Sequence, residues 1–318
     1  MRYLSPVSVL KSCTAKSVLQ DVRQMIVSAS YRSDIPAFHA DWFRNRFAAG
    51  FCEVANPYSG KPYRVALRGD TVDGYVFWTR NAAPFADALE DVARLGLPFV
   101  LQFTVTGYPR PLDPHTPQAD VAVVQMQNLA RKFGRRAVVW RYDPVVFSSL
   151  TPADWHLRNF ADLARKLSGS VDECVVSCAH IYTKTRRRLN LAAKSQDFSW
   201  KDPDWDQKRE LLGEIAGIAA ECGIETSVCS QPAALGGQAA AVLRPARCID
   251  ADRLSDIAGY GIPSRVKGNR EGCLCAESRD IGSYDTCVHG CVYCYAVSDH
   301  EKAASALRRA ETARQTAR

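Results

Sequence analysis

Three cysteines, Cys287, Cys291 and Cys294, stand in the spacing C-x3-C-x2-C within CLCAESRDIGSYDTCVHGCVYCYA, residues 273–296. Five of the chain's twelve cysteines fall in that stretch. A thiolate is a soft ligand for iron, zinc and copper(I), so three on one tight turn make a nest for a metal cluster. Gly290 lets the backbone come close between the first two ligands, and Tyr293 sets an aromatic ring just before the third. A single zinc ion is the competing occupant. Structural zinc takes four ligands, and Cys273, Cys275 or His289 would complete the set.

Four more cysteines carry a second metal reading. Cys229, Cys248, Cys273 and Cys275 together suit a second iron–sulfur cluster or a zinc ion; as buried thiols they would simply pack as small hydrophobes. Cys13, Cys52, Cys174, Cys178 and Cys222 read as structural.

The elements that must position these residues follow from periodicity. The runs 25–30, 73–79, 99–106, 137–143, 173–178 and 224–229 are short and almost continuously apolar, which predicts strands of a parallel sheet covered on both faces. Helices are predicted between them over about 37–49, 82–95, 117–133, 152–168 and 203–222, with start signals at Asp34-Ile35-Pro36, Asn81 and Thr151-Pro152. Six successive strand–helix units predict an α/β fold, a parallel (β/α) barrel or partial barrel of the TIM type. A doubly wound sheet would carry a Gly-rich phosphate turn after its first strand, and SASYRSDIPA is not one. The expected organisation is a flexible extension over 1–24, a barrel over 25–229, a cysteine-rich segment over 230–298 folded across the mouth, and a charged helical tail over 299–318.

Composition narrows the function classes. Hydrophobic residues at 47% and charged residues at 24% are ordinary for a globular chain. No apolar run approaches the roughly 20 residues of a membrane helix, and the N-terminus lacks a signal-peptide core, so the expected setting is the cytoplasm without membrane contact. There thiols stay reduced, and clustered ones serve metals or catalysis more often than disulfides. The net charge of +7 fits either a mildly basic enzyme or an anionic partner such as nucleic acid or a phosphorylated metabolite. The basic run Lys184–Arg188 would steer such a partner or form a solvated helix face.

The cysteine spacing with its aromatic residue resembles the radical S-adenosylmethionine (SAM) superfamily. That resemblance implies three thiolates on three irons of a 4Fe-4S cluster, an open fourth iron chelating the amino and carboxylate groups of SAM, and reductive cleavage to a 5'-deoxyadenosyl radical. It also implies an electron donor such as flavodoxin or ferredoxin. The segments YRSDIPAFHADWF, FWTRN, QFTVTGY, WRYDPVVF, RCID and DIGSYDTCVHGCVYCYA look like a widespread bacterial family of unknown function grouped with radical SAM proteins by its C-terminal cysteines. This likeness runs from about Met25 to Ala296 and brings no known substrate, small molecule or nucleic acid. In the wider superfamily the cysteine loop follows the first barrel strand, whereas here it comes last. A weaker resemblance, to spore photoproduct lyase and related DNA-repair enzymes, is confined to the cysteine motif.

In a parallel barrel, catalytic groups gather at the C-terminal strand ends. The pairs Arg32 with Asp34 and Arg141 with Asp143 are the candidate catalytic residues. Arg presents a planar fork to a carboxylate such as that of SAM, and Asp takes a ribose hydroxyl or an amine; equally, each pair could brace the rim as an internal ion pair. Gln102 and Thr104 on strand three, with Tyr293, are the candidates for cofactor contact. His180, just past strand five, is either a proton donor or a structural histidine.

Overall fold

The computed structural model describes residues 25–56 and 59–316. Eight strands form one parallel sheet: Met25–Ala29, Val72–Thr79, Phe99–Thr104, Val138–Val145, Glu173–Cys178, Glu225–Val228, Arg244–Pro245 and Ser278–Asp280. They are numbered one to eight below. Strands one to seven pair in sequential order, and strand eight returns to pair with the free edge of strand one. The chain is therefore α/β with a large parallel sheet. This is the strand order of a β/α barrel, and among the described residues no ladder joins strands seven and eight. One hydrogen bond, from Ala276 N to Ile249 O (2.9 Å), links the segments beside them.

Both faces of the sheet are covered, which is why its strands read as unbroken apolar runs. Because side chains alternate along a strand, each strand splits into two sets. One set, including Val27, Tyr75, Phe77, Leu101, Trp140 and Val176, packs against the helices. The other begins with an apolar layer of Ile26, Val76, Val100, Val139 and Val175. Two residues further along the same face stand Ser28, Trp78, Gln102, Arg141 and Ser177. The inner face thus has an aliphatic floor and turns polar toward the C-terminal strand ends.

The expected helices appear, with the first two split into shorter pieces: Ile35–Phe38 with Ala40–Ala49, and a 3-10 turn at Ala83–Phe85 with Ala86–Arg94. Asp204 caps the helix Trp205–Glu221 through Gln207 N (3.0 Å), a satisfied helix start. An additional helix, Thr183–Ser195, carries the basic run.

The sheet does not stop at Cys229. Strands seven and eight, with the helix Ala251–Ala258 between them, come from the segment where apolar patterning fades. They are two and three residues long, too short for periodicity to register. Two small antiparallel pairs, Phe51–Ala55 with Pro62–Ala66 and Phe147–Ser148 with Trp200–Lys201, lie outside the main sheet. The charged C-terminal segment is helical over His300–Thr316. The extension predicted over 1–24, with Cys13, lies outside the described residues. No helix among the described residues is long and apolar enough to cross a membrane.

Candidate functional site

A cavity of about 410 Å³ sits over the C-terminal strand ends. The polar inner-face residues form one wall, including Ser30, Trp78, Arg80, Thr104, Arg141, Asp143 and Ser177. The cysteine-rich segment forms the opposite wall. Cys287, Cys291 and Cys294 line the cavity together with Cys229, Cys248, Cys273 and Cys275, and so do Arg32, Asp34, His180 and Tyr293. Gln102 is absent from this lining. It lies one layer below, donating to Cys248 O (2.8 Å) and accepting from Arg141 Nη1 (3.0 Å). Its place is to support Cys248 and Arg141, not to reach into the cavity.

Two buried polar hubs dock the cysteine loop. The first is Asp34. As cap of the helix Ile35–Phe38 its carboxylate accepts from Ala37 N (2.9 Å), and it also accepts from Thr79 Oγ1 and Arg80 N, both at 2.8 Å. Its fourth partner is His289 Nε2 at 2.8 Å, which must donate because the carboxylate only accepts. His289 lies between the first two cysteines of the triad, so this contact fixes the loop from within. The ring also packs edge-on against Phe38, 4.6 Å between centroids.

The second hub is Asp113, which is 1% exposed. It accepts from Arg80 Nη1 (2.8 Å), Thr106 Oγ1 (3.0 Å) and Tyr293 Oη (2.7 Å), while Arg80 Nη2 donates to Tyr293 Oη at 2.6 Å. Tyr293 is thereby held rigidly between the second and third cysteines. Backbone bonds from Val292 N to Leu112 O and from His115 N to His289 O, each 3.1 Å, join the loop to the same segment. Gly290 makes this docking possible: its φ is +78°, and an added Cβ would stand 3.1 Å from His115 Cδ2.

The two Arg-x-Asp pairs have different fates. Arg141 and Asp143 bond to each other, with Asp143 also accepting from Ser177 Oγ. Arg141 further contacts Cys248 Sγ at 3.1 Å and lies over the Trp78 ring, 4.9 Å from its centroid. Arg32 and Asp34 do not pair. Arg32 turns toward Asp280, with Nε 3.8 Å from the carboxylate, and its guanidinium lies beside the rings of Tyr31 and Tyr284. Asp280 is already occupied by Ser28 Oγ, Ser30 Oγ, Tyr31 N and Gly282 N. Arg32 Nε is left buried without a hydrogen bond.

A second cation faces the loop. Arg188 donates through Nη1 to Val297 O (2.6 Å), while its Nε and Nη2 are buried and unbonded. Burial pulls its pKa down, and the nearby Cys294 and Cys291 pull it back up. Burial also pushes the Cys287 and Cys291 thiols well up, so as free groups both stay protonated; a bound cation would reverse that. His180 accepts at Nε2 from Gln231 Nε2 (3.2 Å), and burial lowers its pKa. No group of three or more His, Cys, Asp or Glu side chains among the described residues is arranged to hold a metal ion as it stands.

Sequence reasoning gave no role to Arg80, Asp113 or Asp280. Asp113 sits in the turn-rich PRPLDPH and Asp280 on a three-residue strand, so neither carries a local pattern; only the fold shows what they hold.

No curated protein and no solved structure matches the chain. A family model described as a domain of unknown function, DUF1848, matches residues 26–296, a span that takes in the parallel sheet except Met25 and ends two residues past the third cysteine of the triad. The chain accordingly belongs to that family, DUF1848.

Proposed function

We propose that the chain is a radical SAM-type iron–sulfur enzyme in which Cys287, Cys291 and Cys294 hold a 4Fe-4S cluster over an incomplete β/α barrel. The observation that carries this reading is the convergence of the three thiols on one cavity at the C-terminal strand ends, beside an arginine with an unused donor. The donor set fits the group. Three thiols from one loop suit a cluster with one open iron. Of the fourth ligands considered for zinc, His289 has its Nε2 committed to Asp34.

When bound, the cluster would supply the electron that cleaves SAM reductively, chemistry that removes a hydrogen atom from a substrate. The chain's own residues would do the rest. Arg32 would take the SAM carboxylate through its free Nε edge, because Asp280 stands too far away to satisfy it. Arg188 would direct its unused N–H groups toward the sulfurs of Cys291 and Cys294, offsetting the charge of the thiolates. Asp34 would act through His289, and Arg80 with Asp113 through Tyr293, to hold the three ligands in register. The cysteine segment, closing the cavity from the far side, would exclude water from a reactive species. Cytoplasmic location and a small electron-transfer partner belong to the same proposal.

The test is metal analysis of anaerobically purified protein. The wild type should carry about four irons and four sulfides per chain at the triad, and Cys291→Ala should carry none there. Equal iron in the two proteins would overturn the assignment.

A further inference from the structure

We infer that Cys229, Cys248, Cys273 and Cys275 form a second, separate thiolate site that takes one soft divalent ion, zinc or iron(II). It shares no ligand with the triad, so it stands or falls apart from the radical SAM reading.

The four thiols arrive from three parts of the chain: the residue after strand six, the segment after strand seven, and the loop before strand eight. Cys248 Sγ lies 3.5 Å from Cys229 Sγ. Cys275 packs in the same buried cluster as Cys229 and Cys248, Cys273 packs against that cluster, and all four line one cavity. Zinc–sulfur bonds of about 2.3 Å in a tetrahedron put neighbouring sulfurs about 3.8 Å apart, so the Cys229–Cys248 spacing has the scale of a single-ion site. Binding would ask Cys273 and Cys275 to turn inward about the ion. The loop is already packed for this: a Cβ on Gly268 would fall 2.2 Å from Cys273 O, so only glycine lets the strand of chain fold back this tightly behind Cys273.

The polar groups around the sulfurs distinguish this arrangement from thiols filling a core. Arg141 Nη1 reaches Cys248 Sγ at 3.1 Å, and Arg270 Nη2 reaches Cys229 Sγ at 3.2 Å. Ile249 N points at Cys275 Sγ from 3.4 Å. A neutral thiol is a weak acceptor and gives a buried guanidinium little, whereas a thiolate answers its charge. Arg141 shares its charge with Asp143, but Arg270 makes no ion pair with a carboxylate among the described residues. A divalent ion with four thiolates carries two net negative charges. That is the anion these two guanidiniums complement, with Asp143 offsetting one of them.

The experiment uses the full chain with Cys287, Cys291 and Cys294 replaced by Ala, stripped of metal under reducing conditions and titrated with cobalt(II). Saturation at one equivalent, with ligand-field and sulfur-to-cobalt bands of a tetrahedral tetrathiolate that zinc(II) displaces, supports the site. Adding Cys248→Ser and Cys275→Ser should then weaken cobalt binding at least 100-fold. Absence of thiolate bands, or unchanged binding after the two added substitutions, overturns it. Four irons with four sulfides retained by the triad-free chain overturns the single-ion assignment. To guard against misfolding of the variants, the unsubstituted protein is alkylated with and without zinc(II): protection mapped to Cys229, Cys248, Cys273 and Cys275 supports the proposal, and equal labelling of these four overturns it.

Discussion

Replacing Asp34 by Ala should detach the cysteine loop from the rim of the sheet. The substitution removes an acceptor from Ala37 N, Arg80 N and His289 Nε2; the Thr79 hydroxyl is free to rotate. Losing the cap costs about 1 kcal/mol. Each of the other two buried donors, left without a partner, costs about 1–3 kcal/mol. The total, about 3–7 kcal/mol, is a large part of the 5–15 kcal/mol typical of a folded domain. The consequence particular to this site is that His289 loses its anchor between two ligand positions, so the triad loses register. Urea denaturation of the metal-free chain measures the first effect, and iron content after anaerobic reconstitution measures the second. Leu163→Ala, a buried substitution on the helix Ala153–Leu167, is the control: it should cost about 2–5 kcal/mol while leaving iron binding intact in the folded chain. If Asp34→Ala kept wild-type stability and iron, or if the control lost iron equally, the assigned role of Asp34 would be refuted.

Further outcomes test other parts of the site. Tyr293→Phe leaves Arg80 and Asp113 without a shared partner and should cost about 1–3 kcal/mol in urea denaturation, with reduced iron retention; an unchanged midpoint would contradict the hub. Arg32→Gln should raise the dissociation constant of cluster-loaded protein for SAM by about 10- to 100-fold in equilibrium dialysis, the loss expected of one charge-assisted bond, with no change in iron content. His156 reports on pH. It is buried and neutral, its Nε2 donating to Val146 O (3.0 Å) and its Nδ1 accepting from Tyr142 Oη (2.9 Å), and burial lowers its pKa to about 4 from 6.5. The unfolded chain therefore binds this proton first, so the stability it contributes is full above pH 6.5 and is lost as pH falls toward 4. The loss is about 3 kcal/mol in wild type. Denaturation midpoints of His156→Gln should lack that component; identical pH profiles would contradict it.

How much of this was legible in the residues depends on the length of the signal. Six strands announced themselves through mainly apolar runs such as FVLQFT, because a strand covered on both faces carries apolar side chains on both sides until the inner face turns polar near its C-terminal end. Strands seven and eight, Arg244–Pro245 and Ser278–Asp280, are too short to show a period, and they exist as strands because neighbours offer them open edges. The cysteine triad stands out from spacing alone, since three thiols that share one turn must be close in sequence. Its supports could not. Asp34 was read as catalytic from its place at a strand end, yet that same place lets it cap a helix, bind the backbone at Arg80 and receive His289 from more than 250 residues away. Arg32 and Asp34 look like a pair in sequence, but they diverge: Asp34 receives His289 from the loop beyond the last strand, while Arg32 turns toward Asp280 of that strand without reaching hydrogen-bond distance.

The central claim is tested most directly by reducing the anaerobically reconstituted protein with SAM present and measuring 5'-deoxyadenosine. The account predicts its formation, dependent on reductant, and abolished by Cys291→Ala. A colourless zinc protein that leaves SAM intact would contradict it.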